Sequence, residues 1–194
     1  YTNQVEVVTN VAKSLPSGYE LYVKEHPNSV YREWRSVSDY KKIMKLPNVK
    51  LIHPSVKSLD LIKKSSLVIT ISSTSGLESA LCNKPSIIFS DLDYSILPSV
   101  YKIKTIDELP YAINTSLKKE VKPSDLSDYI NLIKANSFEF NWDKIDLDFD
   151  HNFHYGGFLA DVEIPIEKMR FFLERHSINY DKMAVECIKK IQNY

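Results

Sequence analysis

Glycine is scarce in this chain, with four in 194 residues and two of those adjacent at Gly156-Gly157. A Gly-rich dinucleotide fingerprint needs several glycines at fixed offsets, and the phosphate loop of ATPases needs a second Gly before Lys-Ser/Thr. Neither pattern occurs, which argues against NAD chemistry and ATP hydrolysis. Cysteine is scarcer still. Cys82 and Cys187 stand far apart, each in an apolar helical context, and read as buried free thiols in a reducing compartment rather than as a disulfide or a metal site. Net charge is missing as well, since 25 Lys+Arg balance 25 Asp+Glu, and no dedicated nucleic-acid binder is expected. No apolar run approaches the ~20 residues that a membrane-spanning helix requires. No signal-peptide pattern opens the chain, and it begins at Tyr1 rather than Met, which leaves room for sequence upstream. A cytoplasmic location follows, compatible with peripheral association of the full protein at the inner face of the cytoplasmic membrane.

What is present is enough hydrophobic sequence, 43%, for one sizeable packed domain and a smaller C-terminal appendage. Val5, Val8, Val11, Ala12 and Leu15 recur at helical spacing until Pro16-Ser17-Gly18 stops them. Short apolar runs at Tyr19–Val23, Val49–Ile52, Leu67–Ile71 and Ser86–Phe89 read as strands. Helical stretches at Ser38–Leu46, Ser58–Lys64 and Gly76–Cys82 separate them. This alternation predicts βαβ units and a parallel sheet. Beyond residue 105 the pattern is helical, at Ile106–Leu117, Ser124–Ala135, about 165–175 and about 180–193. Residues 137–155 place Phe138, Phe140, Trp142, Phe149, Phe153 and Tyr155 among five Asp/Glu, and read as a long surface connection anchored by aromatics.

Two strand exits carry the chemistry. Open α/β sheets bind ligands beyond the carboxyl ends of their strands, and Lys24-Glu25-His26-Pro27 follows the first strand directly. Histidine side chains titrate near ~6.5, so an imidazole there can donate to a phosphate or protonate one as it leaves. Pro27 biases His26 away from helical geometry, while Lys24, Arg32 and Arg35 add positive charge that can face a diphosphate. Ser72-Ser73-Thr74-Ser75-Gly76 follows the third strand. Its hydroxyls and the backbone N–H groups of a helix start make an anion site, although a plain N-cap at Ser73 or Thr74 uses the same geometry. Glu78 either reinforces that cap or accepts hydrogen bonds from a ribose. Together the loops suit a phosphorylated ligand such as a nucleotide sugar. His53-Pro54 repeats the dipeptide without nearby cations before Lys57 and reads mainly as a turn.

Two acidic features are less specific. Asp91-Leu92-Asp93 spells the DxD of metal-dependent transferases, and Asp146, Asp148 and Asp150 alternate, yet the second run lacks the Gly and terminal Glu of a calcium loop. Both read as solvated loop carboxylates. His151 and His154 lack a convincing third zinc ligand. Neither a metal nor a cofactor is expected.

The order Leu21–Pro27, Leu46–Ile52, Leu61–Lys64 and Ile69–Phe89 resembles a known group. Within Ser72–Phe89 the pattern runs Ser/Thr-rich turn, Gly, Glu-Ser-Ala, Lys-Pro and an apolar strand. The resemblance covers roughly residues 1–115 and is to the C-terminal half of bacterial capsule and surface-polysaccharide biosynthesis proteins of the two-Rossmann architecture called GT-B, closest to the branch with Kdo transferases that use CMP-Kdo. It implies a Rossmann-like α/β domain over residues 1–120, a parallel sheet flanked by helices, with a helical C-terminal extension over 121–194 packing on it. It implies a metal-independent glycosyltransferase in which His26 contacts the CMP phosphate and assists its departure. Ser72 and Ser73, or Ser73 and Thr74, would bind the same phosphate, and Glu78 would sit near the ribose. Lys24, Pro27, Arg32, Ser75 and Gly76 complete the expected nucleotide site. Tyr94, just past the last strand, is a candidate for touching the donor. GT-B enzymes carry the acceptor site, for a glycan or a lipid-linked glycan, on an N-terminal domain that this chain would need. Transfer of glycerol phosphate from CDP-glycerol is an enzyme alternative, and a non-catalytic nucleotide-binding or scaffold module is an alternative of another class.

Overall fold

The computed structural model describes residues 3–26, 35–154 and 163–192. Asn3 opens the first helix, α1 (Gln4–Ser14), by accepting the Glu6 N–H on its side chain, and Val7, Val11 and Ala12 form the buried face. The most buried line thus runs through Val7 rather than through the expected Val5 and Val8. Gly18 then turns the chain at φ +87°, a conformation that costs glycine little.

The expected alternation holds. β1 (Leu21–Lys24) pairs in parallel with β2 (Val49–Ile52), Leu21 opposite Val49, and α2 (Val37–Met44) lies between them in sequence. After α3 (Ser58–Lys64) come β3 (Val68–Thr70), α4 (Ser75–Leu81), β4 (Ser86–Ile88) and β5 (Val100–Lys102). These last three strands form a second parallel sheet in the order β3-β4-β5. The α/β class with parallel strands and flanking helices is as expected, but the strands divide between two small sheets. Side-chain packing takes the place of a ladder here: Leu21 of β1 and Ile69 of β3 pack on one shared cluster built on Val7, Val11, Ile87, Leu109 and Ile113. β5 was not legible, because three residues carry too little periodicity to separate a strand from a loop.

β4 shows why the middle strand is buried along its whole length. Ile87 and Phe89 enter the cluster formed with α1 and α5 (Leu109–Ser116), whereas Ile88 enters a second one with Ala80, Tyr94, Leu97, Val100 and Tyr129. A parallel strand covered on both faces must be apolar on both. The stretch 106–117 begins as a 3-10 turn at Ile106–Glu108, and α5 starts at Leu109 with Pro110 in its first turn, where a missing N–H is harmless. α6 (Pro123–Asn136) follows.

The chain divides into two compact units, Tyr1–Leu132 and Ile133–Tyr194. The core of the first takes in Val121, Leu126 and Tyr129, beyond residue 120. The second consists of α7 (Trp142–Phe153), α8 (Ile166–Arg175) and α9 (Ser177–Gln192) around Ile145, Phe153 and Phe172.

Here the surface-connection reading of 137–155 is corrected. Residues 142–153 are helical: Asn141 caps them, accepting the Lys144 N–H, and Ile145, Phe149 and Phe153 recur every four residues to form the inward stripe. The alternating aspartates masked that period. Tyr155 lies outside the described residues. The thiol reading also changes, since Cys187 is exposed and Cys82 half-buried. Among the described residues, no helix is long and apolar enough to cross a membrane.

Candidate functional site: two strand-exit loops

The turn after β3 is held from below. Tyr94 is 3% exposed, and its hydroxyl donates to the Ser73 carbonyl oxygen at 2.5 Å. Its ring lies so close under Gly76 that a Cβ there would stand 2.6 Å from the phenol oxygen and 2.8 Å from Cε2. Glycine at 76 is therefore a matter of space. The Gly76 carbonyl accepts from the buried Ser79 and Ser86 hydroxyls, at 2.7 and 3.3 Å. Burial, aided by the nearby Asp93 carboxylate, pushes the Tyr94 phenol up, so it remains a donor at neutral pH.

The far end of α4 is equally defined. Asn83 takes φ +57°, the Asn83 N–H reaches the Ala80 carbonyl, and the Lys84 N–H reaches the Ser79 carbonyl. These are the two bonds of a Schellman motif, which asparagine tolerates at its left-handed position. With both ends pinned, the Ser/Thr turn presents its hydroxyls from a rigid base.

Above this base, Ser72 and Thr74 are exposed while Ser73 and Ser75 are half-buried. Ser73 Oγ accepts the Ser75 N–H at 3.2 Å and lies 3.1 Å from Ser75 Oγ. Thr74 occupies the N-cap position but makes no side-chain cap, and its hydroxyl instead donates to Glu78 Oε1 at 2.8 Å. The Gly76 N–H points to the Ser73 carbonyl at 3.4 Å. The N–H groups expected to be open are thus partly engaged within the turn. α4 is only seven residues long, and the hydroxyls are the principal polar groups the loop offers.

The first loop is organised by a residue the motif did not single out. Glu25 accepts from Arg35 Nε at 2.7 Å, and Arg35 also donates through Nη2 to the Gln4 side-chain carbonyl. The hydrogen bond to Glu25 raises the Arg35 pKa further, and the two contacts tie the β1 exit to the start of α1 and to the segment leading into α2. Arg35 is therefore a brace whose charge is matched. Lys24 ends β1 and donates to the Glu25 carbonyl at 3.2 Å. His26 is exposed immediately beyond the strand. Pro27 and Arg32 lie outside the described residues.

The remaining polar features have structural partners. His53 Nδ1 accepts the Ser55 N–H at 3.2 Å and meets Ser55 Oγ at 2.7 Å, closing a local turn. Asp91 pairs with Lys102 at 2.8 Å, and Asp93 accepts from the Tyr129 hydroxyl at 2.9 Å, linking the 3-10 turn Asp93–Ile96 to α6. Burial, then this bond to Asp93, pushes the Tyr129 phenol up to about 12. The Asp91-Leu92-Asp93 carboxylates are thus bridging groups rather than merely solvated ones. His154 pairs with Asp150 at 2.5 Å, and His151 Nδ1 bonds the Leu147 carbonyl at 2.7 Å. No group of three His, Cys, Asp or Glu that could hold a metal ion occurs among the described residues.

Sequence reasoning missed Glu25, Ser79 and Ser86. The available signal was weak: a polar residue three positions after the turn glycine, and one opening an otherwise apolar strand.

No curated protein sequence matches this chain. Among solved structures, the glycotransferase of kitacinnamycin matches at 14% identity and a TM-score of 0.43, over 70% of this chain and 36% of that one. This chain thus spans little more than a third of that protein's length. The family described as capsule polysaccharide biosynthesis protein matches residues 2–98, half of the sequence, a stretch that contains both strand-exit loops, the Gly76–Tyr94 contact and the Glu25–Arg35 brace. The chain belongs to the capsule polysaccharide biosynthesis protein family.

Proposed function

We propose that residues 1–132 bind the donor of a glycosyltransferase that builds capsular or other surface polysaccharide, with a CMP-sugar as the favoured donor. The observation that carries this reading is the family match over both loops together with the braced hydroxyl turn Ser72–Ser75 at a strand exit. A pinned turn presenting hydroxyls suits a phosphate, because the backbone that carries the donors is fixed before the ligand arrives. In the proposed reaction an acceptor hydroxyl gives its proton to a general base on the acceptor-binding domain, and its oxygen forms a bond to the anomeric carbon. The bond from that carbon to the CMP phosphate oxygen breaks, and its electron pair stays on the phosphate. His26, beside Lys24, donates a proton or hydrogen bond to that oxygen, so no metal is needed. Thr74, Ser72 and Ser73 hold the phosphate, and Glu78 meets the ribose once Thr74 turns toward the ligand.

The acceptor, a glycan or lipid-linked glycan, binds on a separate domain, in the cytoplasm at the inner face of the membrane. Calorimetry of the chain with CMP, CDP, UMP and UDP tests the donor assignment. CMP is expected to bind best, and His26→Ala to weaken it about tenfold, the loss of one charge-assisted contact. Preference for CDP would favour glycerophosphate transfer. Absence of binding to all four would leave a scaffold module and sink both transferase readings.

A further inference from the structure

The helical unit Ile133–Tyr194 holds a polar pocket of its own. Lys144, Asp148 and His151 fall at i, i+4 and i+7 on α7 and so share one face. Arg175 and His176 end α8, and Asn179 lies in the first turn of α9. These six side chains line a cavity of about 370 Å³. Asp148 is the one carboxylate among them, and it is already occupied. Its Oδ1 accepts from Arg175 Nη1 at 2.7 Å and Asn152 Nδ2 at 3.1 Å, while Oδ2 meets Nε2 of the buried His176 at 2.7 Å.

What remains is donor-rich. Arg175, stacked on Phe171 at 4.7 Å, keeps further N–H groups on its fork beyond the one given to Asp148. Lys144 makes no ion pair among the described residues and sits in the first turn of α7, where the helix dipole disfavours a cation. An anion beside it would relieve that mismatch.

We propose that this pocket binds a phosphate monoester, with Lys144 and the free edge of Arg175 as its cationic contacts and Asn179 as a neutral donor. Asp148 and His176 hold Arg175 in place. All of these residues lie outside the donor-binding unit, so the proposal stands or falls separately from the nucleotide reading.

The test titrates inorganic phosphate into the full chain at neutral pH and constant ionic strength, following the ring nitrogen resonances of His151 and His176. A second arm measures sedimentation with phosphatidylcholine vesicles with and without phosphatidic acid. Saturable shifts with inorganic phosphate are expected. Lys144→Gln and Arg175→Gln should each weaken binding about tenfold, as loss of one charge-assisted contact does. Circular dichroism checks the fold of each variant, and Lys144→Gln decides alone if Arg175→Gln unfolds. Lys144-dependent binding in either arm supports the pocket, inorganic phosphate pointing to a soluble phosphate ester and vesicles to a lipid one. Failure of both arms, or binding that is indifferent to Lys144→Gln wherever it occurs, overturns it.

Discussion

At the scale of residues, the tightest constraint in the first unit is the contact between Gly76 and Tyr94. A methyl group at 76 would overlap the phenol ring at 2.6–3.0 Å, and the ring cannot retreat because it packs among Ala80, Ile88 and Leu97. Overpacking of this kind typically costs ~1–3 kcal/mol. Gly76→Ala should therefore lower the unfolding free energy of the first unit by that amount in urea titrations, and weaken CMP binding as the turn shifts. Unchanged stability would mean that the ring moves freely. Gly76 was legible as a strand-to-helix turn residue, but its partner was not. Tyr94 was expected at the ligand, whereas its hydroxyl supports the turn from underneath. Proximity in sequence to a strand end says that a side chain is near the site, not which way it points.

At the scale of elements, α7 carries the clearest lesson. Its aspartates at 146, 148 and 150 suggest a period of two, yet the burial follows Ile145, Phe149 and Phe153. Hydrophobic burial outweighs the polar pattern because each ring removed from water contributes far more than a solvated carboxylate. Asp148 shows what the acidic face does. The His176 hydrogen bond, then Arg175, holds its carboxyl below the ordinary value of 3.8. A lowered folded-state pKa means that the ionised form is favoured on folding, so the stabilisation is present above the ordinary value and is lost as pH falls through the lowered one. The helical unit should thus weaken below about pH 4, and Asp148→Asn should flatten that acid arm. Trp142 fluorescence during urea unfolding across pH, in a Trp34→Phe background, measures it; parallel acid arms in both proteins would contradict the assignment.

At the scale of the whole molecule, two units with separate cores imply two sets of stabilising contacts. Leu109 is fully buried in the first, and Phe172 is 4% exposed in the second. Truncating each to alanine costs about 2–5 and about 3–5 kcal/mol respectively. Leu109→Ala should shift the unfolding of the α/β unit, and Phe172→Ala that of the helical unit, with Trp142 fluorescence following the second and CMP affinity the first. Equal shifts of both signals by both variants would show one cooperative unit instead.

The sequence by itself determined the alternation of strands and helices, the two strand-exit loops and the membership of the capsule polysaccharide family. Local periodicity, turn residues and motif order are properties of neighbours along the chain. Tertiary structure decided the rest. It divided the strands between two sheets, placed Tyr94 beneath Gly76, joined Glu25 to Arg35 across ten positions, and gathered Lys144, Asp148, Arg175 and His176 around one pocket. Those outcomes depend on which distant side chains compete for the same volume and the same hydrogen-bond partners, and no window of neighbouring residues contains that information.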